Sequence, residues 1–303
     1  MATVALPTPQ TKVVLSASAA IIGLVLLIQH SASHRLAALF LVGTMLGIVL
    51  YHSLFGFTSA FRVLLADGRS AGFRAQMIML GSACLLFFPA LAGGSLFGQP
   101  VAGNVSPAGL SVVFGSFIFG VGMQLGGGCA SGTLFTAGGG SVRMLVTLLF
   151  FIVGSVLGVM HQAWWKALPS FEPVSLVDQL GWLQALALNI AVFAIAYFSV
   201  ARIERRRHGY VASISHTEQA SWLRGPWPLV AGALALALLN FTTLYLSGKP
   251  WGVTSAFGLW GGMALQSAGL PVSTWPGFAA PAMQTSLNSS LLTDITSVMD
   301  FGI

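Results

Sequence analysis

The chain alternates between long apolar stretches and short polar or glycine-rich segments. Each of seven stretches comes close to the roughly 20 apolar residues that an α-helix needs to cross the hydrocarbon core of a bilayer. These predicted spans cover residues 13–28, 36–55, 77–96, 108–125, 144–160, 182–200 and 228–246. The pattern therefore predicts an all-α polytopic membrane protein, with one membrane domain over residues 1–303.

The composition supports this prediction. Hydrophobic residues make up 55% of the chain and charged residues only 7%, whereas soluble domains carry about 25% charged residues. The first apolar stretch lacks a strongly basic start and an obvious small-residue cleavage site. We therefore interpret it as a membrane span and not as a cleaved signal peptide.

The positive charges predict the orientation of the spans. Five arginines follow the sixth span, namely Arg202, Arg205, Arg206, Arg207 and Arg224. The positive-inside rule assigns this loop, and with it the amino terminus, to the cytoplasm. Alternate threading then places five further cations on the cytoplasmic side, namely Lys12, Arg62, Arg69, Arg74 and Arg143. Three cations remain outside, namely Arg35, Lys166 and Lys249. The net charge of +6 thus reflects loop bias and contact with membrane lipid, and no nucleic-acid partner is predicted.

A six-residue motif occurs twice. Residues 56–61 read Gly-Phe-Thr-Ser-Ala-Phe and residues 252–257 read Gly-Val-Thr-Ser-Ala-Phe, identical at five of six positions. Each copy follows a predicted span and precedes interrupted apolar sequence. This favours a duplication, with a first repeat over about 36–165, linking spans over about 166–224 and a second repeat over about 225–303.

The second repeat is predicted to be cut short. Cys129 lies 73 residues beyond Gly56, so the corresponding position of the second copy would fall beyond Ile303. Residues 300–303 resemble the start of another membrane helix, not a polar tail. We therefore expect the natural sequence to continue.

The strongest candidate for chemistry is the run Gly-Gly-Gly-Cys-Ala-Ser-Gly-Thr at residues 126–133, which lies inside apolar sequence. Bilayers tolerate non-helical backbone only where it is buried in protein or lines a cavity. Glycine-broken segments in two repeats indicate a transporter site, and a row of exposed N–H groups favours anions. The alternative interpretation is close helix packing through small residues.

The candidate substrate-binding residues lie in this run, just before it, and in the two motifs. They are Gly127, Gly128, Cys129, Ser131, Gly132, Thr133, Gln124, Thr58, Ser59, Thr254 and Ser255. Small neighbours should leave the sulfur of Cys129 accessible, whereas Cys84 stands in apolar sequence and fits an inert small hydrophobe. The two cysteines have neither a zinc-ligand spacing nor a Cys-x-x-Cys pattern, so no metal and no cofactor are predicted.

Other polar residues in the spans give weaker signals. The arginines between the first motif and the third span are best interpreted as cytoplasmic loop charges. Two interpretations of His52 remain: a hydrogen bond in helix packing, or a position on the lining of the transport path. Asn189 and Asn240 are predicted to form hydrogen bonds across helices.

Together these residues resemble a known family. Residues 120–134, Gly-Val-Gly-Met-Gln-Leu-Gly-Gly-Gly-Cys-Ala-Ser-Gly-Thr-Leu, with residues 56–62 and 251–257, look like the YeeE/YedE family of sulphur-transport membrane proteins over nearly the whole chain. The resemblance implies a thiosulfate importer of the bacterial inner membrane, built as an inverted-repeat helical bundle with short Gly-rich dipping (re-entrant) segments. It also implies that the Cys129 thiol contacts the anion and that a small sulfurtransferase-type protein is a cytoplasmic partner. The family's Gly-Cys motif in the second repeat is absent here.

Other function classes remain beside the importer. They are a membrane thiol or persulfide redox enzyme, a transporter of a related sulfur or selenium compound, and a structural subunit without its own path. An enzyme would need a second reactive group beside Cys129, and none is evident in the nearby sequence. No Gly-x-x-x-x-Gly-Lys-Ser/Thr motif occurs, which disfavours ATP-driven transport by this chain. The prediction is therefore a transporter and not an enzyme.

Overall fold

The computed structural model describes residues 11–215 and 225–303, so Arg224 lies outside the described residues. Within these ranges, seven helical stretches are long and apolar enough to cross a membrane. Their principal helices are α1 (Thr11–Ser31), α2 (His34–Ser53), α4 (Ala71–Ala92), α5 (Leu110–Gly126), α7 (Val142–Met160), α10 (Trp182–His208) and α11 (Leu229–Ser247). All seven predicted spans are confirmed, and the fold is all-α and polytopic.

Short elements fill the gaps between the spans. The short helices are α3 (Phe57–Asp67), α6 (Ala130–Gly138), α8 (Gln162–Ala167), α9 (Leu176–Leu180), α12 (Val253–Ser267), α13 (Pro281–Leu287) and α14 (Ile295–Gly302). The small antiparallel hairpin consists of β1 (Ser95–Leu96) and β2 (Gln99–Pro100). At 9 residues, α6 is about 14 Å long, which is too short to cross a core about 30 Å thick. The inverted repeat and the re-entrant character of these helices stay predictions.

The centre of the molecule is a close contact between α2 and α14. A Cβ on Gly47 would lie 2.7 Å from the carbonyl oxygen of Ile303, and a Cβ on Gly43 would overlap the carbonyl of Met299. Only glycine lets the two backbones approach this closely. The side chains of Leu39, Leu46 and Met299 are buried around this contact.

Two hydrogen bonds join span ends that the predicted threading puts on the same side of the membrane. On one face, the Arg35 guanidinium at the start of α2 donates to the carbonyl of Leu246 at the end of α11. On the other face, Arg69 donates to the Tyr210 hydroxyl at 2.8 Å, which joins the α3–α4 turn to the end of α10. Which face lies in the cytoplasm stays a prediction.

A buried carboxylate joins α4 to α10. Glu204 is 0% exposed and accepts a hydrogen bond from the backbone N–H of Ser70 at 3.1 Å. It forms ion pairs with Arg74 at 3.8 Å and with Arg69 at 3.5 Å. These two arginines were predicted to be loop charges. That prediction is incomplete, because Arg74 is a buried residue of α4 whose charge needs a partner.

Two other sequence predictions are wrong. The arginines at 202–207 do not lie in a loop but in the last turns of α10, where cations are stabilised by the helix dipole. The side-chain amides of Asn189 and Asn240 donate to the carbonyls of Ala185 and Leu236, one turn back in their own helices, at 2.8 and 2.9 Å. Such local bonds satisfy the amides without a partner helix.

Candidate functional site

The glycine run forms the junction between α5 and α6. Gly127 has a φ of 83°, a left-handed conformation that glycine adopts without steric cost. Its N–H donates to the carbonyl of Met123 at 3.0 Å. The predicted open row of N–H groups is therefore partly wrong, because the N–H of Gly127 closes the last turn of α5. Cys129, with extended backbone, is the N-cap residue of α6.

Three features meet at the start of α6. Among the described residues, no side chain caps its first turn, so the positive end of the helix dipole faces the loop. The sulfur of Cys129 lies over this turn, since a Cβ on Gly132 would be 3.3 Å from it. The Ser131 hydroxyl lies 3.6 Å from the same sulfur. The structure thus brings together a half-buried thiol, a hydroxyl and a helix amino terminus.

A buried hydroxyl lies behind this loop. Thr133 is 0% exposed, and its Oγ1 has no hydrogen-bond partner within residues 11–215 and 225–303. The N–H of Thr133 donates to the carbonyl of Cys129 at 2.8 Å. A Cβ on Gly128 would come within 3.0 Å of Thr133 Oγ1. Gly128 therefore lets the loop close over the helix and leaves the Thr133 hydroxyl as a spare donor.

Two guanidinium groups lie against the loop, and the sequence-based site did not include them. Arg62 of α3 donates to the carbonyl of Gln124 at 3.0 Å, and Arg143 of α7 donates to the carbonyl of Leu125 at 3.4 Å. A Cβ on Gly127 would lie 3.3 Å from a guanidinium nitrogen of Arg143. Both cations offset the negative end of α5 and raise the local potential for an anion. The position of Arg62, directly after the first motif, was the signal in the sequence.

Gln124 connects the first motif to the loop. Its Nε2 donates to the carbonyl of Thr58 at 3.4 Å, and its Oε1 accepts from Arg62 at 3.4 Å. Thr58 is only 4% exposed, and its Oγ1 lacks a partner among the residues that the structure describes. Two predicted site residues, Gln124 and Thr58, are therefore adjacent, although they are 66 residues apart in the chain.

A cavity of about 160 Å³ opens at the first motif. We call it the first-motif cavity; it is lined in part by Leu54, Gly56, Ser59, Gly72 and Gln76. The hydroxyl of the predicted site residue Ser59 donates to the carbonyl of Gly56 at 3.1 Å. Gln76 was not among the residues predicted from sequence.

A larger cavity, of about 390 Å³, opens at the second motif. We call it the second-motif cavity; its polar lining includes Thr243, Ser247, Lys249, Ser255 and Thr296. The Ser255 hydroxyl lies 2.8 Å from the carbonyl of Gly252 and 3.3 Å from Thr296 Oγ1. The predicted site residue Thr254 is exposed and is not part of this lining.

The second repeat also reaches the Cys129 loop. Phe257, at the end of the second motif, is 0% exposed and packs in one cluster with Ala130 and Leu134 of α6. The contact places the start of α12 beside the helix that Cys129 caps. Phe257 of the second motif thus packs against α6, while Thr58 of the first motif lies against Gln124, just before the loop.

The two cysteines are both free and half-buried. The two cysteines therefore differ in their surroundings and not in their burial. Cys84 lies inside α4, whereas Cys129 faces a hydroxyl and an uncapped helix end. No group of three or more His, Cys, Asp or Glu side chains suited to a metal ion occurs in the described part of the chain.

The chain is similar to a family of transport proteins and to several of the proteins named as transporters. A family model described as sulphur transport matches residues 52–303. The chain is 28% identical to the thiosulfate transporter TsuA of Spirochaeta thermophila over 237 residues, 70% of this chain and 64% of that protein. It is 29% identical to the probable transporter YedE of Salmonella typhimurium over 181 residues, 58% of this chain and 43% of that protein. Against TsuA of Escherichia coli, identity is 30% over 115 residues, 38% of this chain and 32% of that protein. The chain thus spans less than two thirds of each of these relatives.

Proposed function

The chain belongs to the sulphur transport family, and we propose that it imports a sulfur-containing anion, thiosulfate first, through the bacterial inner membrane along a path that contains Cys129. The thiosulfate transporters among its relatives support this substrate. The observation that carries the proposal is the position of the Cys129 sulfur over the uncapped first turn of α6.

The loop offers an anion several weak donors, with two cations beside them. The thiol of Cys129 is a weak, soft donor, and the hydroxyl of Ser131 and the first-turn N–H groups of α6 are neutral. The guanidinium groups of Arg62 and Arg143 donate to carbonyls of α5, and their charge raises the potential for an anion at the loop. An anion at membrane depth needs such donors to offset lost hydration. Weak individual donors let it leave again, which transport requires.

The two motif cavities supply the ends of the proposed path. In the predicted threading, the second-motif cavity opens outward and the first-motif cavity opens toward the cytoplasm. Lys249 lines the outer cavity, and Arg35 lies beside it through its bond to Leu246. These are two of the three cations assigned to the outside, and their field would concentrate anions at this opening.

A cytoplasmic acceptor completes the proposal. A small sulfurtransferase-type protein, which the family resemblance implies, would take up the imported sulfur. A related sulfur or selenium anion is the second candidate substrate, since the donors at Cys129 recognise charge and softness more than size. Competition of selenium analogues against thiosulfate in an uptake assay distinguishes the two.

Uptake of radiolabelled thiosulfate, in cells that lack other routes for it, tests the function. Cys129→Ala should abolish uptake, because it removes the thiol from the first turn of α6. Cys84→Ala is the matched control and should leave uptake nearly intact. Cys129→Ser separates two roles: retained uptake means that any donor suffices, and loss means that sulfur itself matters. Normal uptake by Cys129→Ala would refute the proposed path.

A further inference from the structure

One side chain that lines the first-motif cavity, Gln76, has a buried amide without a hydrogen-bond partner among the described residues. Gln76 is 2% exposed, and neither its Nε2 nor its Oε1 has a hydrogen-bond partner among the described residues. The side chain lines the cavity. Burying an amide without a partner costs free energy, and an apolar side chain of the same shape would avoid this cost. The arrangement is therefore explained best if a ligand in the cavity completes the bonds.

The same cavity faces the start of α3. This helix has 11 residues and begins after Gly56, and no side chain in the described ranges caps its first turn. Ser59, which also lines the cavity, turns its hydroxyl back to the carbonyl of Gly56 and not to the first-turn N–H groups. These N–H groups and the positive end of the helix dipole are thus available to an anion.

Close packing of α3 on α4 brings Gln76 to this helix end. A Cβ on Gly72 would lie 2.8 Å from the Cβ of Ala60, so α4 approaches α3 through a glycine. Gln76 lies one turn after Gly72 on the same face of α4. No carboxylate lines the cavity within the described residues. The absence of a carboxylate and the exposed start of α3 suit an anion better than a cation.

We propose that Gln76 binds the transported anion in the first-motif cavity, with its Nε2 and the first-turn N–H groups of α3 as donors to a small sulfur oxyanion such as thiosulfate. The inference rests on the proposed function and adds a second binding position to the path, separate from Cys129. In the predicted threading, this position is on the cytoplasmic side.

Two substitutions test the role of the amide. Gln76→Met keeps the length of the side chain and removes both polar atoms; Gln76→Glu adds a negative charge that repels an anion. Each should lower the apparent affinity for thiosulfate in uptake about tenfold or more, as expected for a lost bond to a charged group. The matched controls, Gln179→Met and Gln179→Glu on the exposed surface of α9, should match the wild type.

The unfolding temperature of the purified protein supplies a second readout. Without thiosulfate, Gln76→Met should unfold at the same or a higher temperature than the wild type, because an unpartnered amide is removed. With thiosulfate, the wild type should be stabilised and Gln76→Met much less so. Lower stability of Gln76→Met without thiosulfate would identify the amide as a packing group and overturn the proposal. Unchanged uptake and unchanged stabilisation by thiosulfate would overturn it as well.

These outcomes differ from those that test the proposed function. If the wild type neither takes up nor binds thiosulfate, the proposed function fails. If the wild type transports it, Cys129→Ala abolishes uptake and Gln76→Met behaves as the wild type, only the role of Gln76 fails.

Discussion

The first and second motifs, residues 56–61 and 252–257, start their helices in the same way but lie in different surroundings. In both, a glycine is the N-cap residue, and the serine hydroxyl bonds to its carbonyl, at 3.1 Å for Ser59 and 2.8 Å for Ser255. Yet the threonine between them is buried in the first copy and exposed in the second: Thr58 is 4% exposed, whereas Thr254 lies open. The comparison shows that the repeated sequence sets local backbone geometry, whereas the packed neighbours set the role of each side chain.

The copies diverge most one residue after the motif. The first copy continues with Arg62, which reaches the Cys129 loop through the carbonyl of Gln124. The second continues with Gly258, where a Cβ would lie 3.1 Å from the side chain of Val159 on α7. One copy thus contributes a charge to the site, and the other contributes a close helix contact.

Placing an arginine at position 258, as in the first copy, should have the largest effect. Gly258→Arg would force a guanidinium group into the contact between α12 and α7, and overpacking of this kind costs about 1–3 kcal/mol or more. We expect loss of monodisperse protein in size-exclusion chromatography and a lower unfolding temperature. Gly115→Ala is the control, because a Cβ there meets nothing within 4 Å. Wild-type behaviour of Gly258→Arg would contradict the described packing of the second copy.

Replacing the charge of the first copy should impair transport more than folding. Arg62→Met removes a cation beside the Cys129 loop while keeping most of the helix propensity. We expect thiosulfate uptake to fall about tenfold, because the field of a cation beside the loop is lost together with its hydrogen bonds to Gln124. Arg62→Lys keeps the charge and should fall between the two. If Arg62→Met transports normally, the guanidinium only caps α5.

The two threonines should respond differently to the same change. Thr58→Val removes a buried hydroxyl that lacks a partner in the described structure, so stability should change by less than about 1 kcal/mol. Thr58 is one of the residues predicted from the sequence to bind substrate, so uptake should drop several-fold if its hydroxyl faces the path. Thr254→Val changes an exposed side chain and should leave both measurements unchanged. Equal effects of the two substitutions would remove the distinction between the copies.

The smallest effect is expected at the second-motif cavity. Lys249→Met should lower uptake about two- to threefold at low ionic strength and hardly at all at high salt, because field steering is screened. Lys166→Met removes a cation that does not line the cavity and should show no salt-dependent loss. A salt-independent defect in Lys249→Met would indicate direct contact with the anion.

The spans could be predicted from the sequence because crossing a bilayer demands long apolar runs, whatever the rest of the fold does. The third span was predicted at 77–96 but α4 begins at Ala71. Its first turns hold Arg74 and Gln76, whose polarity hid the helix. Arg74 forms an ion pair with Glu204, which is 130 residues away in the chain. A pattern of neighbouring residues cannot predict such a partner.

The candidate site could be predicted only in part, because some of its residues form a local sequence signal and others do not. The glycine run and its cysteine form a local signal, and the structure places Cys129, Ser131 and Gly132 together. Arg143 and Gln76 reach the loop and the first-motif cavity only through packing between helices. No spacing in the sequence reports such contacts, since they depend on which faces of separate helices meet.

The fit of α14 into α2 has a consequence for how the protein is made. Gly43 enters the membrane 256 residues before Met299, whose carbonyl it adjoins. In a chain synthesised from its amino end, the groove along α2 therefore stays open until α14 has been made. Contacts so distant in sequence form slowly. The contact between α2 and α14 thus forms only after the helices between them have been made, and biogenesis factors that protect early helices would matter most at this groove.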